Sequence, residues 1–168
     1  TVGLMMSHLM GVSDAAALGN AADLGIAMQF TNIARDVVED ARNRRVYLPL
    51  NWLDEAGIPE TQVDDPRYRA KLAQVTALLL DEADRYYRSG FAGLKYLPLR
   101  CAFAVAVAGR VYGEIGKRVR ARGLHAWDTR TVVPTWKKLW LVIVGAGDVL
   151  TTIPHRIAHP FRAADRKS

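Results

Sequence analysis

Gly25-Ile-Ala-Met-Gln29-Phe-Thr-Asn32-Ile-Ala-Arg35-Asp36-Val-Val-Glu39-Asp40 is the stretch whose reading decides the fold of this chain. At about 100° per residue, Gln29, Asn32, Asp36 and Asp40 fall within an arc of roughly 80°. Ile26, Phe30, Ile33, Ala34, Val37 and Ala41 fill a neighbouring arc suited to burial against other helices. The segment is therefore expected to be an amphipathic helix. Its polar stripe consists of carboxylates and amides, whereas a merely solvated helix more often uses the better helix formers Lys and Glu. An amide-rich stripe points to a lined cavity.

Outward from that stretch, the helix is expected to run from about Asp14 to about Asn43, with Ser13 or Asp14 as N-cap and Leu48-Pro49 as the break. An earlier helix end, Thr1 to Met10, stops at Gly11. A short helix near Asn51 to Ala56 ends at Gly57, and Ile58-Pro59 through Asp65-Pro66 is a loop. Further helices are expected over about Arg67 to Gly90, from Pro98 to about Arg122 with Gly123 as C′ residue, and between Pro134 and Pro154. Pro154, Pro160 and the basic end Arg162 to Ser168 read as a frayed tail. β-branched residues seldom alternate with polar ones, so the chain reads as all-α.

Composition narrows the function classes. The chain has 168 residues, half of them hydrophobic and 24% charged, which suits one globular domain or a large piece of one. One cysteine, Cys101, rules out an intrachain disulfide framework and makes a reducing, cytoplasmic setting the default. Thr1-Val-Gly-Leu-Met-Met-Ser-His shows no secretory leader and no initiator methionine, so a fragment is expected. The net charge of +6 conceals an asymmetry. Residues 1–84 hold 7 Lys/Arg against 13 Asp/Glu, and residues 85–168 hold 16 against 4. A basic half suits nucleic acid, an anionic membrane surface or a polyanionic small molecule. No nucleic-acid module is recognisable, Gly109, Gly113 and Gly116 follow no strand, and His155 and His159 lack the further ligands that zinc requires.

The stripe supplies oxygen donors, which suit a hard cation. Asp36 and Asp40 at i and i+4 are one turn apart, close enough to hold Mg²⁺ ions shared with diphosphate oxygens, with Asn32 adding an amide oxygen. An isolated Asp pair at this spacing is ordinarily a solvated face. Here Arg35, Arg42, Arg44 and Arg45 place anion-binding groups beside the carboxylates, as metal-bridged diphosphate requires. Salt bridges among Arg35, Glu39 and Asp40 are an equally ordinary use of part of this cluster.

Gln29-Phe-Thr-Asn-Ile-Ala-Arg-Asp-Val-Val-Glu-Asp40, continued by Ala-Arg-Asn-Arg-Arg-Val-Tyr-Leu-Pro49, resembles the second aspartate-rich region of the squalene/phytoene synthase family, most closely its bacterial phytoene synthase branch. The likeness extends from Val2-Gly3-Leu4 to Tyr112-Gly-Glu-Ile115 and Ala126-Trp-Asp128, up to about residue 132. The resemblance implies an all-α isoprenoid synthase bundle of the class I terpenoid synthase kind, in which two aspartate-rich motifs face each other across a cavity. Only one is present here, so residues 1–168 are expected to be the C-terminal portion of a single domain, inactive alone, with about 133–168 as a peripheral helix and tail. By the same resemblance, Asp36 and Asp40 bind metal and act in catalysis, Asn32 completes the coordination, and Gln29, Arg35, Arg45, Tyr47 and Tyr112 line the substrate or diphosphate region. Tyr112 reads nearly as well as a packing residue.

The activity implied is head-to-head condensation of two geranylgeranyl diphosphates through prephytoene diphosphate to phytoene, in carotenoid biosynthesis, with Mg²⁺ (or Mn²⁺ in its place) and no NADPH. The alternatives are a presqualene diphosphate or squalene-type synthase acting on farnesyl diphosphate, a non-catalytic assembly factor of the same fold, and a plain helical interaction module. The expected partners are a prenyl diphosphate and the missing N-terminal portion of the same enzyme, with no nucleic acid. Trp136-Lys-Lys-Leu-Trp140 through Leu150 reads as too short, and too interrupted by Asp148, to span a bilayer. It suits either a terminal capping helix or an interfacial helix making peripheral contact with the inner face of the membrane.

Overall fold

The computed structural model describes residues 15–158, and among these there is no strand. The central element is α1 (Ala15–Arg42), within one residue of the expected boundaries at either end. Its expected caps Ser13 and Asp14, and the helix end over residues 1–10, lie outside the described residues. α1 is followed by α2 (Leu50–Ala56), α3 (Arg69–Ala92), α4 (Leu99–Arg122), α5 (Thr135–Leu150) and a short α6 (Ile153–Ala158).

The punctuation follows the sequence. Pro49 precedes α2, and Gly57 closes it in the left-handed region at φ 64° and ψ 45°, where the absent Cβ removes the steric cost. The loop after it is two 3₁₀ turns, Glu60–Gln62 and Pro66–Tyr68, the second capped by Asp65 accepting from the Arg67 backbone N–H at 2.8 Å. Pro98 precedes α4, and Gly123, at φ 52°, ends it.

α1 packs against α3 and α4. At the α1–α3 crossing, a Cβ built on Gly90 would fall 2.7 Å from Leu24 Cβ, so the two backbones meet where only a hydrogen fits. Asn20 Nδ2 donates to the Ser89 carbonyl at 2.7 Å, and Ser89 Oγ donates to Asp23 Oδ2 at 2.5 Å. The larger core gathers Val38, Leu53, Ile58, Leu72 and Val119 from α1 to α4 and the connecting loop, each no more than 2% exposed. A fully buried aliphatic side chain of this kind stabilises the fold by about 1.5–3 kcal/mol.

Two expectations about the end of the chain need correction. Pro154 does not begin a frayed tail but sits in the first turn of α6, where a helix needs no N–H donor. Arg156 then fastens α6 by donating to the Leu94 and Leu97 carbonyls at 2.7 and 2.6 Å. Because α6 continues the apolar run of α5, Thr135–Ala158 taken together is long and apolar enough to cross a membrane by length and composition, contrary to the expectation that it is too short. In this fold α5 lies along α4. A Cβ on Gly145 would stand 3.1 Å from the Val107 backbone nitrogen, and Arg110 holds Asp148 through two hydrogen bonds of 2.7 and 2.5 Å. The segment 159–168 lies outside the described residues.

Candidate active site

The rotation of α1 about its axis is set on its buried side. Thr31, fully buried, donates to the Ala27 carbonyl at 3.0 Å and accepts from the Tyr87 hydroxyl at 2.9 Å, while burial pushes the tyrosine's pKa up. Pinned in this way to α3, α1 turns Gln29, Asn32, Asp36 and Asp40 to one side. Asn32, Asp36 and Asp40 are half-buried, and Gln29 is exposed beyond them.

The Asn32 carbonyl oxygen Oδ1 is buried and has no hydrogen-bond partner. Leaving a buried acceptor unsatisfied costs roughly 1–3 kcal/mol, so this oxygen has the capacity to accept from a donor or to meet a cation. The Asp40 carboxylate accepts no hydrogen bond among the described residues. Desolvation first, and the neighbouring Asp36 charge second, push its carboxyl above the usual aspartate range, with Arg45 working in the opposite direction. A cation placed between these groups would satisfy the amide oxygen and screen the two carboxylates from each other.

Asp36 is paired instead. Arg35 grips it in a fork, Nε to Oδ1 at 2.8 Å and Nη2 to Oδ2 at 2.5 Å, which raises the arginine's pKa further. Each Asp36 oxygen retains a second lone pair. The pairing of Arg35 with Glu39 or Asp40 that spacing allowed is thus replaced by a pairing with its immediate neighbour. Tyr112, half-buried on α4, packs against the core and lies near enough to Arg35 to act on its charge.

α1 ends close to the site. The Arg45 backbone N–H returns to the Asp40 carbonyl and that of Arg44 to the Ala41 carbonyl, both at 2.9 Å, with Arg44 in the left-handed region at φ 59°. This is the Schellman closure, here with an arginine where glycine is usual. It places Arg45 beside Asp40. The side chains of Arg42, Arg44 and Arg45 are exposed, and Tyr47, 53% exposed, makes no hydrogen bond or ring contact among the described residues.

The structure adds one residue that reading the sequence did not single out. Trp127 Nε1 donates to the Ala34 carbonyl at 3.0 Å, and Arg122 holds Thr129 and Thr131 through bonds of 2.9–3.1 Å, so the 126–131 segment is fastened over the middle of α1. Arg130 thereby comes within 3.8 Å of Asp36 Oδ1 while its own side chain stays 60% exposed. The signal available was its closeness to Ala126-Trp-Asp128; only the fold of the loop brings it to the stripe.

The donor set fits a hard divalent cation by its chemistry, consisting of oxygens alone and including an unsatisfied amide carbonyl. Among the described residues no group of three or more His, Cys, Asp and Glu side chains could hold a metal ion by itself. Magnesium commonly takes only one or two protein carboxylates and completes its shell with water and substrate phosphate.

Among the described residues the fold is all-α, and α1 carries a stripe of oxygen donors flanked by arginines. Comparison makes this particular. A model of the squalene/phytoene synthase family matches residues 1–137, and the chain belongs to that family. It is 47% identical over 98% of its length to a 15-cis-phytoene synthase of Enterobacter agglomerans, and 46% identical over 97% of its length to one of Pantoea ananas. A bifunctional lycopene cyclase/phytoene synthase of Leptosphaeria maculans is 35% identical over 73% of the chain and is covered over 21% of its own length. The chain spans about half the length of the bacterial relatives, 55% and 52% of them respectively. Members of the family are generally dependent on a divalent metal.

Proposed function

We propose that the protein to which this chain belongs is a phytoene synthase, a prenyl transferase that joins two geranylgeranyl diphosphates head to head through prephytoene diphosphate. The observation that carries the reading is the half-buried Asn32–Asp36–Asp40 stripe with its unpartnered amide oxygen, in a chain nearly half identical to proteins named 15-cis-phytoene synthase. Asn32, Asp36 and Asp40 would hold magnesium, which when bound neutralises charge developing on the departing diphosphate. The remainder of the protein would supply the facing wall and the second acidic motif.

The roles of this chain's own residues follow from their placement. Arg35 and Arg130 flank Asp36 and offer guanidinium donors to diphosphate oxygens, and Arg45 does the same beside Asp40. Tyr112, close enough to Arg35 to act on its charge, would line the diphosphate region beside it. The apolar side chains next to the stripe, Phe30 and Ile33, exclude water from the allylic cation formed when the first diphosphate leaves. The second prenyl double bond attacks that cation, and loss of a proton closes the cyclopropane of a cyclopropylcarbinyl diphosphate. This ionises by losing its own diphosphate, rearranges and loses a second proton, so no reductant is consumed. A single cysteine fits a cytoplasmic setting.

The test uses the complete protein with geranylgeranyl diphosphate, Mg²⁺ and no NADPH, following phytoene by chromatography. Phytoene is expected, and Asp36→Asn or Asp40→Asn should nearly abolish it. A product formed only from farnesyl diphosphate would move the assignment to the squalene branch of the family. Full activity of both variants would refute the metal site.

A further inference from the structure

Arg130 reaches Asp36 only because the 126–131 segment lies over α1, and the fastenings of that segment are of two kinds. Local bonds tie it to itself and to the end of α4: Arg122 donates to Thr129 and Thr131, and Thr131 Oγ1 donates to the Ala126 carbonyl at 3.2 Å. These shape the loop without aiming it at α1. The tie to α1 is Trp127, whose ring nitrogen donates to the Ala34 carbonyl at 3.0 Å across a separation of 93 positions. An indole on a single hydrogen bond can tilt about it unless its face is held as well.

Arg69 holds that face. It is the first residue of α3, and its guanidinium carbon stands 5.5 Å from the centroid of the Trp127 ring, within the range of a cation–π contact. Its Nη1 is buried and has no hydrogen-bond partner. Burial draws the Arg69 pKa below its ordinary value, while Asp128 and Asp64 favour its charge and Arg42 opposes it. A guanidinium sunk against a ring with an N–H unpaired is a poor choice for stability alone, since an apolar side chain of similar volume fills such a place without the desolvation penalty. The planar cation is suited instead to fixing the tilt of the indole. Three elements then meet at one ring: α3 through Arg69, the loop through Trp127 and α1 through Ala34.

We propose that Arg69 is a positioning residue: by stacking on Trp127 it fixes the 126–131 segment on α1 and so holds the Arg130 guanidinium beside Asp36, ready to meet diphosphate. The inference rests on the reading of the Asn32–Asp36–Asp40 stripe as a diphosphate site. Its effect passes through Arg130. That side chain is 60% exposed and 3.8 Å from Asp36 Oδ1, so it has little packing of its own, and the placement of its backbone decides how well it is aimed.

The experiment is a double-mutant cycle on the complete protein, read by isothermal titration calorimetry of inorganic pyrophosphate in Mg²⁺. Arg69→Met, or Arg69→Gln if circular dichroism shows the first to be unfolded, should weaken pyrophosphate binding by about tenfold, the equivalent of one charged hydrogen bond. Arg130→Gln should weaken it by a similar factor. Because Arg69 acts through Arg130, adding the Arg69 substitution to Arg130→Gln should cost no further affinity. Arg69→Lys keeps a cation over the ring and should recover about threefold of the loss. Unchanged affinity in a folded Arg69 variant overturns the proposal, as does a loss that adds in full to that of Arg130→Gln, or an Arg69→Lys variant no better than Arg69→Met. A parent protein that binds no pyrophosphate in Mg²⁺ overturns the diphosphate reading of the stripe and this inference with it, whereas the other three results leave that reading standing.

Discussion

Asn32→Ala separates a metal ligand from an ordinary structural residue, because the two roles predict opposite signs. In the metal-free chain the substitution removes a buried carbonyl oxygen that has no partner. Relief of that penalty is worth roughly 1–3 kcal/mol, and the better helix propensity of alanine adds up to about 0.7 kcal/mol. Lost packing around a half-buried side chain takes back up to about 1 kcal/mol. The net expectation is a metal-free chain more stable by about 1–3 kcal/mol, at about 2–4 °C in Tm for each kcal/mol in a protein of this size. A ligand that binds only the folded state stabilises by about 2.7 kcal/mol at a hundred times its Kd. With Mg²⁺ and inorganic pyrophosphate present, the increment seen for the parent chain should shrink in Asn32→Ala by at least about 1.4 kcal/mol, the equivalent of tenfold in affinity. Thermal melts in EDTA and in Mg²⁺ with pyrophosphate read both effects. A variant that is destabilised in EDTA, and that gains as much from Mg²⁺ and pyrophosphate as the parent, would refute the reasoning.

Three further outcomes follow from the geometry. Arg44→Gly relieves a left-handed arginine at φ 59° and should stabilise the chain by about 1 kcal/mol in urea unfolding, the cost of that backbone region less the added freedom of glycine in the unfolded state. Gly90→Ala places a methyl group 2.7 Å from Leu24 Cβ and should destabilise by about 1–3 kcal/mol, measured in the same way. For Asp40 the folded-state pKa is raised, so its charge weakens the folded state above the ordinary aspartate range near 3.8 and has no effect below it. In EDTA, Asp40→Asn should therefore gain stability over the parent as pH rises from the acid range to neutrality, whereas an advantage that grows toward acid pH would contradict the shift.

The boundaries of α2 and α4 were legible because Pro49, Gly57, Pro98 and Gly123 act through local sterics alone. The acidic stripe was equally legible, since helical periodicity fixes which side chains share a face. Other features depend on distant partners and carry no local signal. Arg35 could choose among Asp36, Glu39 and Asp40, and only the surroundings of the folded helix select Asp36. Arg130 reaches the stripe because Trp127 and Arg122 fold the 126–131 loop back over α1. Pro154 opens α6 instead of ending order because Arg156 finds the carbonyls of Leu94 and Leu97, nearly sixty or more positions earlier.

The contact between Gly90 and Leu24 has an evolutionary corollary. Two positions far apart along the polypeptide are joined into one unit of inheritance, because any lineage that enlarges residue 90 must trim residue 24 or spread the two helices. Spreading them would turn the acidic stripe of α1 relative to α3, so drift at a buried glycine is tied to the orientation of side chains on the far side of the helix.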